Sequence, residues 1–347
     1  MERKQLLDVL GLVRPALAST SLIQVLTHLC FAGEEVLAYN DQIGLSAPLA
    51  TGLEGAVPGA TLLSFLGASR AKEIEFIAGD MELNVRAGGA RLKLPLLPPD
   101  SFLFQMPDAA KGDVLQVGKD LVAAIKSCLR SVSPDTSVPD QLGVTFIPKK
   151  KGVDLYSING VSMSRASVSL PAAPVQRRVV LAAAFCEQLV RLAAPDRRAE
   201  LVIADDHALL RTRTDVRLFG KLVDVPKPLD FEAQFSEIVP GDLDKTSIEV
   251  PTALKLAIER ALIIADPSGE RAYTRLSVKD GVLTLFTKSG RGEVRDRIKT
   301  VGHPDVDVQA DAQWLKVGCA EFDRVLVTEG AVIFGGGRAL YLVATTT

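Results

Sequence analysis

Residues 246–265, TSIEVPTALKLAIERALIIA, govern the reading of the whole chain. Residues 247–250 alternate polar and apolar as a short strand does. Pro251 follows at a first-turn helix position, where its missing N–H leaves no hydrogen bond unmade. From there Leu254, Ile258, Ala261, Leu262 and Ala265 recur at i, i+4, i+7, i+8 and i+11. That spacing is one apolar stripe of a helix packed on a sheet, with Lys255, Glu259 and Arg260 on its other side.

The same strand-into-helix pattern returns at residues 55–70, 114–131, 179–194 and 306–320, and a copy cut short at the front occupies residues 1–17. After each copy come short alternating runs broken by Gly, Asn or Asp, the pattern of an antiparallel meander. Six such units make a repeat protein of the α+β class. They pair into three similar domains of two βαβββ units each, expected at 1–108, 109–240 and 241–347, with Pro98, Pro99 and Pro107 marking the first linker.

Within the first domain, Leu6, Leu10, Val13 and Leu17 are expected to face inward from the opening helix, followed by strands at 24–31, 35–39 and 43–49. A helix at 59–67 then leads to strands at 73–78, 82–87 and 90–96. The second domain buries Leu121, Ala124, Ile125, Cys128 and Leu129 from one helix and Phe185, Leu189 and Leu192 from the other. Its strands are expected at 142–147, 153–158, 162–170, 199–204, 208–213 and 216–223. In the third they are expected at 272–278, 282–287, 292–300, 324–328, 331–334 and 339–344.

The 347 residues are 47% hydrophobic and 24% charged, the balance of a soluble globular protein. No run approaches the ~18 apolar residues of a membrane span. The opening Met-Glu-Arg-Lys lacks the apolar core of a secretory signal, so a cytoplasmic protein is expected. Cys30, Cys128, Cys186 and Cys319 sit in apolar surroundings and read as buried free thiols. His28, His207 and His303 are far apart, so neither a metal nor a cofactor is expected.

Catalysis needs convergent groups. Asp100, Asp135, Asp266 and Asp280 stand at loop tips, and no His accompanies a Ser or Cys at a recognisable spacing. The densest acidic cluster, Asp205-Asp206-His207, falls at a hairpin turn, and Gly335 to Gly337 lacks the following helix that a phosphate loop requires. The chain is therefore not expected to be an enzyme.

The net charge of −2 hides an uneven distribution. The six helical windows carry 12 Lys and Arg against 6 Asp and Glu, so the rest of the chain is acidic. Helices gathered on one side would make that side basic. Lys149, Lys150 and Lys151 stand with Gly152 at a hairpin tip, which reads as a solvated loop or as a phosphate contact.

Three local patterns extend this layout into a resemblance: GARLKLPLLP at 89–98, FGKLVD at 219–224 followed by EIVP at 237–240, and residues 310–343 with Trp314 and Leu315. Together with the six repeats, they make the chain similar, over nearly its whole length, to the bacterial-type DNA polymerase sliding clamp, the DNA polymerase III beta subunit family. The resemblance implies helices lining a ring with sheets outside, closed by two subunits around duplex DNA. A replicative polymerase and a clamp-loader ATPase are the implied partners. Lys119, Lys126, Arg130, Arg191, Lys255 and Arg260 would line the ring, with Lys149 and Lys150 at a loop touching DNA. The partner-peptide pocket would be Ile158, Gly160, Val161, Met163, Ile238, Leu342 and Ala344. Leu92 and Leu94 would meet Ile263 and Ile264 of a second subunit.

Departures from the family pattern concentrate in that pocket. Cellular clamps carry Asp-Gly-His-Arg-Leu where this chain has NGVSM at 159–163, and its last residues are a Thr tail in place of Met-Pro-Met. Such divergence suits a phage or mobile-element clamp. The pattern also leaves open a non-DNA scaffold, a clamp homologue acting as a decoy or regulator, and an enzyme with a deep polar cleft.

Overall fold

The computed structural model describes the chain except residues 108–111, 136, 171–174, 194–198, 242, 266–272, 301–304 and 347, and the side chains of residues 244 and 245. The expected first domain boundary, Asp266 and His303 lie outside the described residues.

Six repeats follow one another. The first has α1 (Arg3–Val13), β1 (His28–Ala32), β2 (Glu35–Tyr39) and β3 (Ile43–Pro48). The second has β4 (Glu54–Pro58), α2 (Gly59–Ala68), β5 (Glu75–Ala78), β6 (Glu82–Ala87) and β7 (Ala90–Pro95). The third has β8 (Asp113–Val117), α3 (Lys119–Cys128), β9 (Gly143–Lys149), β10 (Gly152–Ile158) and β11 (Ser162–Ser169), and the fourth β12 (Val179–Ala182), α4 (Ala183–Ala193), β13 (Ala199–Ile203), β14 (His207–Arg211) and β15 (Arg217–Lys221). Two short helices, α5 (Phe231–Ile238) and α6 (Leu243–Thr246), precede the fifth repeat: β16 (Ile248–Glu249), α7 (Thr252–Ile264), β17 (Tyr273–Lys279), β18 (Val282–Ser289) and β19 (Gly292–Lys299). The sixth has β20 (Val306–Asp311), α8 (Ala312–Glu321), β21 (Arg324–Val327), β22 (Ala331–Gly336) and β23 (Ala339–Ala344). The α+β reading in βαβββ units holds.

Three differences from the sequence reading have local causes. The first strand starts at His28 because Gln24–Thr27 forms a 3₁₀ turn, with Thr27 Oγ1 donating to the Gln24 carbonyl at 2.7 Å. Pro15 ends α1 early, so Leu17 leaves the helix and packs against Gly59 instead. Residues 231–238 form α5, which was not anticipated. Its N-cap Asp230 accepts from Ala233 N–H, and Phe231 and Phe235 are both buried.

The chain divides into two compact units, residues 1–122 with 174–223, and residues 123–173 with 224–347. In the first unit an eight-stranded antiparallel sheet runs β4-β1-β2-β3-β15-β14-β13-β8, beside a three-stranded sheet β5-β6-β7. Helix α1 buries Leu6, Leu10 and Val13, and α4 buries Phe185, Cys186, Leu189 and Leu192. Gly220 of β15 lies beneath the Phe185 ring, so closely that a Cβ there would stand 2.6 Å from the ring edge.

In the second unit β9-β10-β11-β23-β22-β21-β16 form one continuous antiparallel run, and β19-β18-β17-β20 a four-stranded sheet. Its core joins Leu254, Ala257, Ile258 and Ala261 of α7 to Leu276, Leu283, Leu285 and Val308 of the smaller sheet, and to Leu315 and Cys319 of α8. Ser131, itself fully buried, bonds the Ser162 and Ser164 hydroxyls at 2.9 and 2.8 Å, so these buried polar groups satisfy one another.

Repeat strands join by a rule. The third meander strand of the first repeat pairs with that of the fourth, β3 with β15 through Ile43↔Gly220 to Ser46↔Arg217. The third strand of the third repeat pairs with that of the sixth, β11 with β23 through Ser162↔Val343 to Ala166↔Ala339. The two remaining third strands, β7 and β19, end their sheets.

Candidate nucleic-acid, partner and subunit surfaces

Lys126, Arg130 and Lys255 come together around a cleft of about 880 Å³ in the second unit, with Glu249, Glu321 and Arg324 also in its wall. Arg130 is held there by Glu321 at 2.8 Å, while Lys126 and Lys255 are exposed and form no ion pair among the described residues. The cleft contains neither His nor Cys. Arg324, absent from the sequence expectation, is anchored by Ser247, its Nε donating to the hydroxyl at 2.8 Å and its Nη2 to the carbonyl at 2.7 Å.

Several other expected phosphate contacts are engaged inside the chain. Arg260 grips Asp296 bidentately, at 2.6 and 3.1 Å. Arg191 donates to the Leu12 carbonyl at 2.7 Å and to Gln188 Oε1 at 2.7 Å, capping the C-terminal end of α1. Partial burial there lowers its pKa from the usual arginine value. Lys149 pairs with Glu232 of α5 and stands 3.7 Å from Asp154. Lys119 and Lys150 are exposed, each without an ion pair among the described residues. Side-chain geometry thus separates free cations from structural ones, a distinction that residue type alone does not carry.

The expected peptide-pocket residues lie together. Ile158, Met163, Ile238 and Leu342 belong to one apolar cluster with Tyr156, Phe231 and Phe235. Beside it, Asn159 Oδ1 accepts from Val161 N–H and Ser162 N–H at 3.0 and 2.8 Å, closing a turn in which Gly160 takes φ +79°. Val161 O accepts from Ala344 N–H at 2.8 Å. Met163 is only 9% exposed and Leu342 2%, because α5 lays Phe231 and Phe235 over the sheet. The site is a covered floor with a rim of Gly160, Val161, Ile238 and Ala344.

Of the expected subunit contacts, Ile263 is 69% exposed on α7 and Ile264 half-buried, its carbonyl accepting from Ser289 Oγ at 2.5 Å. Leu92 is half-buried on the edge strand β7, and Leu94 is buried in its own unit. Leu256, 48% exposed and two turns before Ile263, extends the apolar stripe and was missed because it flanks the cationic Lys255.

The cysteines are packing residues. All four are buried and none forms a disulfide, and burial pushes the Cys30 thiol up to about 11 and those of Cys128 and Cys319 to about 12. In the 205–207 cluster His207 Nδ1 lies 2.6 Å from Asp206 Oδ1, which lowers the Asp206 pKa, and the His207 ring packs on Phe219. No group of three His, Cys, Asp or Glu among the described residues could hold a metal ion. No helix among them is long and apolar enough to cross a membrane.

Six repeats, five of them βαβββ and the first without its leading strand, with the first joined to the fourth and the third to the sixth through their third strands, make up the fold of the bacterial DNA polymerase processivity clamps. Solved structures agree: a putative DNA polymerase III beta subunit from Eubacterium rectale superposes with a TM-score of 0.85 at 12% identity, over 99% of this chain and 97% of that one. The Pseudomonas aeruginosa sliding clamp bound to griselimycin matches at 0.83 and 16% identity, over 100% and 98%. The DNA polymerase III beta chain of Streptococcus pneumoniae matches at 0.84 and 15%, again over 100% and 98%. No protein-family model and no curated protein matches the sequence.

Proposed function

We propose that this chain is a DNA sliding clamp, a non-catalytic ring of two copies that encircles duplex DNA and tethers a replicative polymerase. The observation that carries the reading is the strand-joining rule. Repeat one joins repeat four and repeat three joins repeat six, which leaves repeat five to join an eighth, the second repeat of another copy. Antiparallel pairing of β19 with a partner's β7 would occupy both edge strands in each copy and close the assembly, since two such joins return to the start. Exposed Ile263 and Leu256 supply the apolar contact beside that join.

On this reading each copy comprises three domains, 1–108, 109–240 and 241–347. Exposed Lys119, Lys126 and Lys255 supply the positive charge facing phosphates, with Arg130 in the cleft that Lys126 and Lys255 line. Contacts of that kind are sequence-blind and weak enough for sliding, so retention is topological. A clamp-loader ATPase opens the ring. The polymerase carries a short apolar peptide that seats on the rim formed by Val161, Ile238 and Ala344 above the Met163 and Leu342 floor.

Protein loaded by a clamp loader onto a singly nicked circular duplex is expected to co-elute with the circle and to be lost when the circle is cut once. Co-elution that persists after linearisation would overturn the proposal, because a threaded ring leaves by a free end.

A further inference from the structure

The face of the four-stranded sheet turned away from α7 is chemically unlike the acidic remainder of the chain. Strands β17, β18 and β19 alternate strictly, sending Leu276, Val278, Leu283, Leu285 and Ile298 into the core. The intervening positions point to solvent, and there the sequence places Arg275, Lys279, Lys288, Arg295, Arg297 and Lys299, opposed by exposed Glu293 and Asp307. The register sets them in rows: Arg295↔Phe286↔Arg275, then Arg297↔Thr284↔Ser277, then Lys299↔Val282↔Lys279.

Pairing distinguishes this face from the corresponding one on β5-β6-β7. There Arg86 meets Glu75 at 3.3 Å and Lys93 meets Glu82 at 3.1 Å, while Arg91 stands opposite Arg86 with no ion pair among the described residues, so two of that sheet's three cations are paired. On the four-stranded sheet Arg275 pairs with Asp307, while Lys279, Lys288, Arg297 and Lys299 form no ion pair among the described residues. Half-buried Phe286 stands in the middle of the face, with the Arg295 guanidinium 5.0 Å from its ring centroid. Tyr273, 40% exposed, follows the same alternation at the start of β17.

We propose that this face binds single-stranded nucleic acid. Alternate residues of β19 lie about 6.7 Å apart, so Arg295, Arg297 and Lys299 form a cationic column along one side for a sugar-phosphate backbone. Phe286 and its stacked guanidinium offer flat surfaces to unpaired bases, which a duplex does not expose. The inference does not depend on ring closure, because every residue it uses lies in one sheet of one copy.

The test is fluorescence anisotropy of the full-length protein with labelled oligothymidylate and oligouridylate of about 20 nucleotides, using a blunt duplex as control. Binding to one or both single strands is expected, the comparison assigning DNA or RNA. Charge reversal by Arg295→Glu with Arg297→Glu should weaken it at least about ten-fold and reduce the salt slope by about 1.4, at ~0.7 per phosphate contact. Since β19 is also the proposed joining strand, Lys279→Glu with Lys288→Glu provides a second charge reversal away from that edge. Phe286→Ala should weaken single strands roughly five-fold or more and leave duplex binding unchanged.

Affinity unaltered in both charge-reversed variants overturns the proposal. So does equal loss of single-strand and duplex binding in Phe286→Ala, or equally tight binding of a labelled polyglutamate peptide, which would mark an acidic-protein surface. Retention on the nicked circle should survive the Lys279/Lys288 reversal, so the two proposals can fail separately.

Discussion

His28 shows how a single buried side chain ties stability to pH. It is 2% exposed on β1, with Nδ1 3.0 Å from the Gln24 carbonyl and 3.3 Å from Thr27 Oγ1. Burial lowers its pKa below the ordinary 6.5, outweighing the carbonyl contact. The unfolded chain therefore takes up a proton that the folded chain refuses. Its contribution is complete above 6.5 and is lost as the pH falls through the lower folded value. Urea unfolding of the native protein should lose more stability between about pH 7.5 and pH 5.5 than His28→Gln loses over the same interval. Equal losses would mean that His28 is not the group responsible. The histidine and the apolar residues around it were plain in the sequence, but its burial was not, because Gln24–Thr27 was read as strand where the chain makes a 3₁₀ turn.

Among the elements, α8 and α1 carry glycines of opposite kind. Gly318 faces the Phe334 ring of β22, where an added Cβ would stand 2.3 Å from Cδ2. Gly318→Ala should cost roughly 1–3 kcal/mol through overpacking, despite alanine's better helix propensity. Gly11 on α1 has nothing within 4 Å of that position, and Gly11→Ala should stabilise by about 0.5–1 kcal/mol. Paired urea or thermal melts check both signs, and stabilisation by Gly318→Ala would contradict the packing. Helix periodicity placed α7 and its buried stripe to within a residue or two. Helix α5 escaped because eight residues with Phe231, Phe235 and Ile238 at i, i+4 and i+7 are too few to stand out, although Asp230 is a ready N-cap.

For the assembled molecule, the decisive surface is the pair of edge strands together with exposed Ile263. Ile263→Asp places a charge in the proposed join while disturbing little of its own unit, since 69% of the residue is already exposed. Light scattering at micromolar concentration is expected to give a two-chain mass for the native protein and a one-chain mass for the variant, with circular dichroism unchanged. A variant that keeps the two-chain mass would exclude this surface as the interface. The candidate residues for that surface came from resemblance, and exposure separates Ile263 from Leu94, which is buried in its own unit.

Local pattern was enough for the six repeats and most of their strands, because periods of 2 and 3.6 residues are written in neighbouring positions. Folding added the partners. No short-range signal tells β3 to choose β15 or β11 to choose β23, since any alternating strand can satisfy another's backbone. Nor does residue type reveal that Arg130 would be held by Glu321 and Arg191 by the end of α1 while Lys126 and Lys255 stay free. Those outcomes depend on groups more than a hundred residues apart meeting at hydrogen-bond distance, and only the packed chain brings them there.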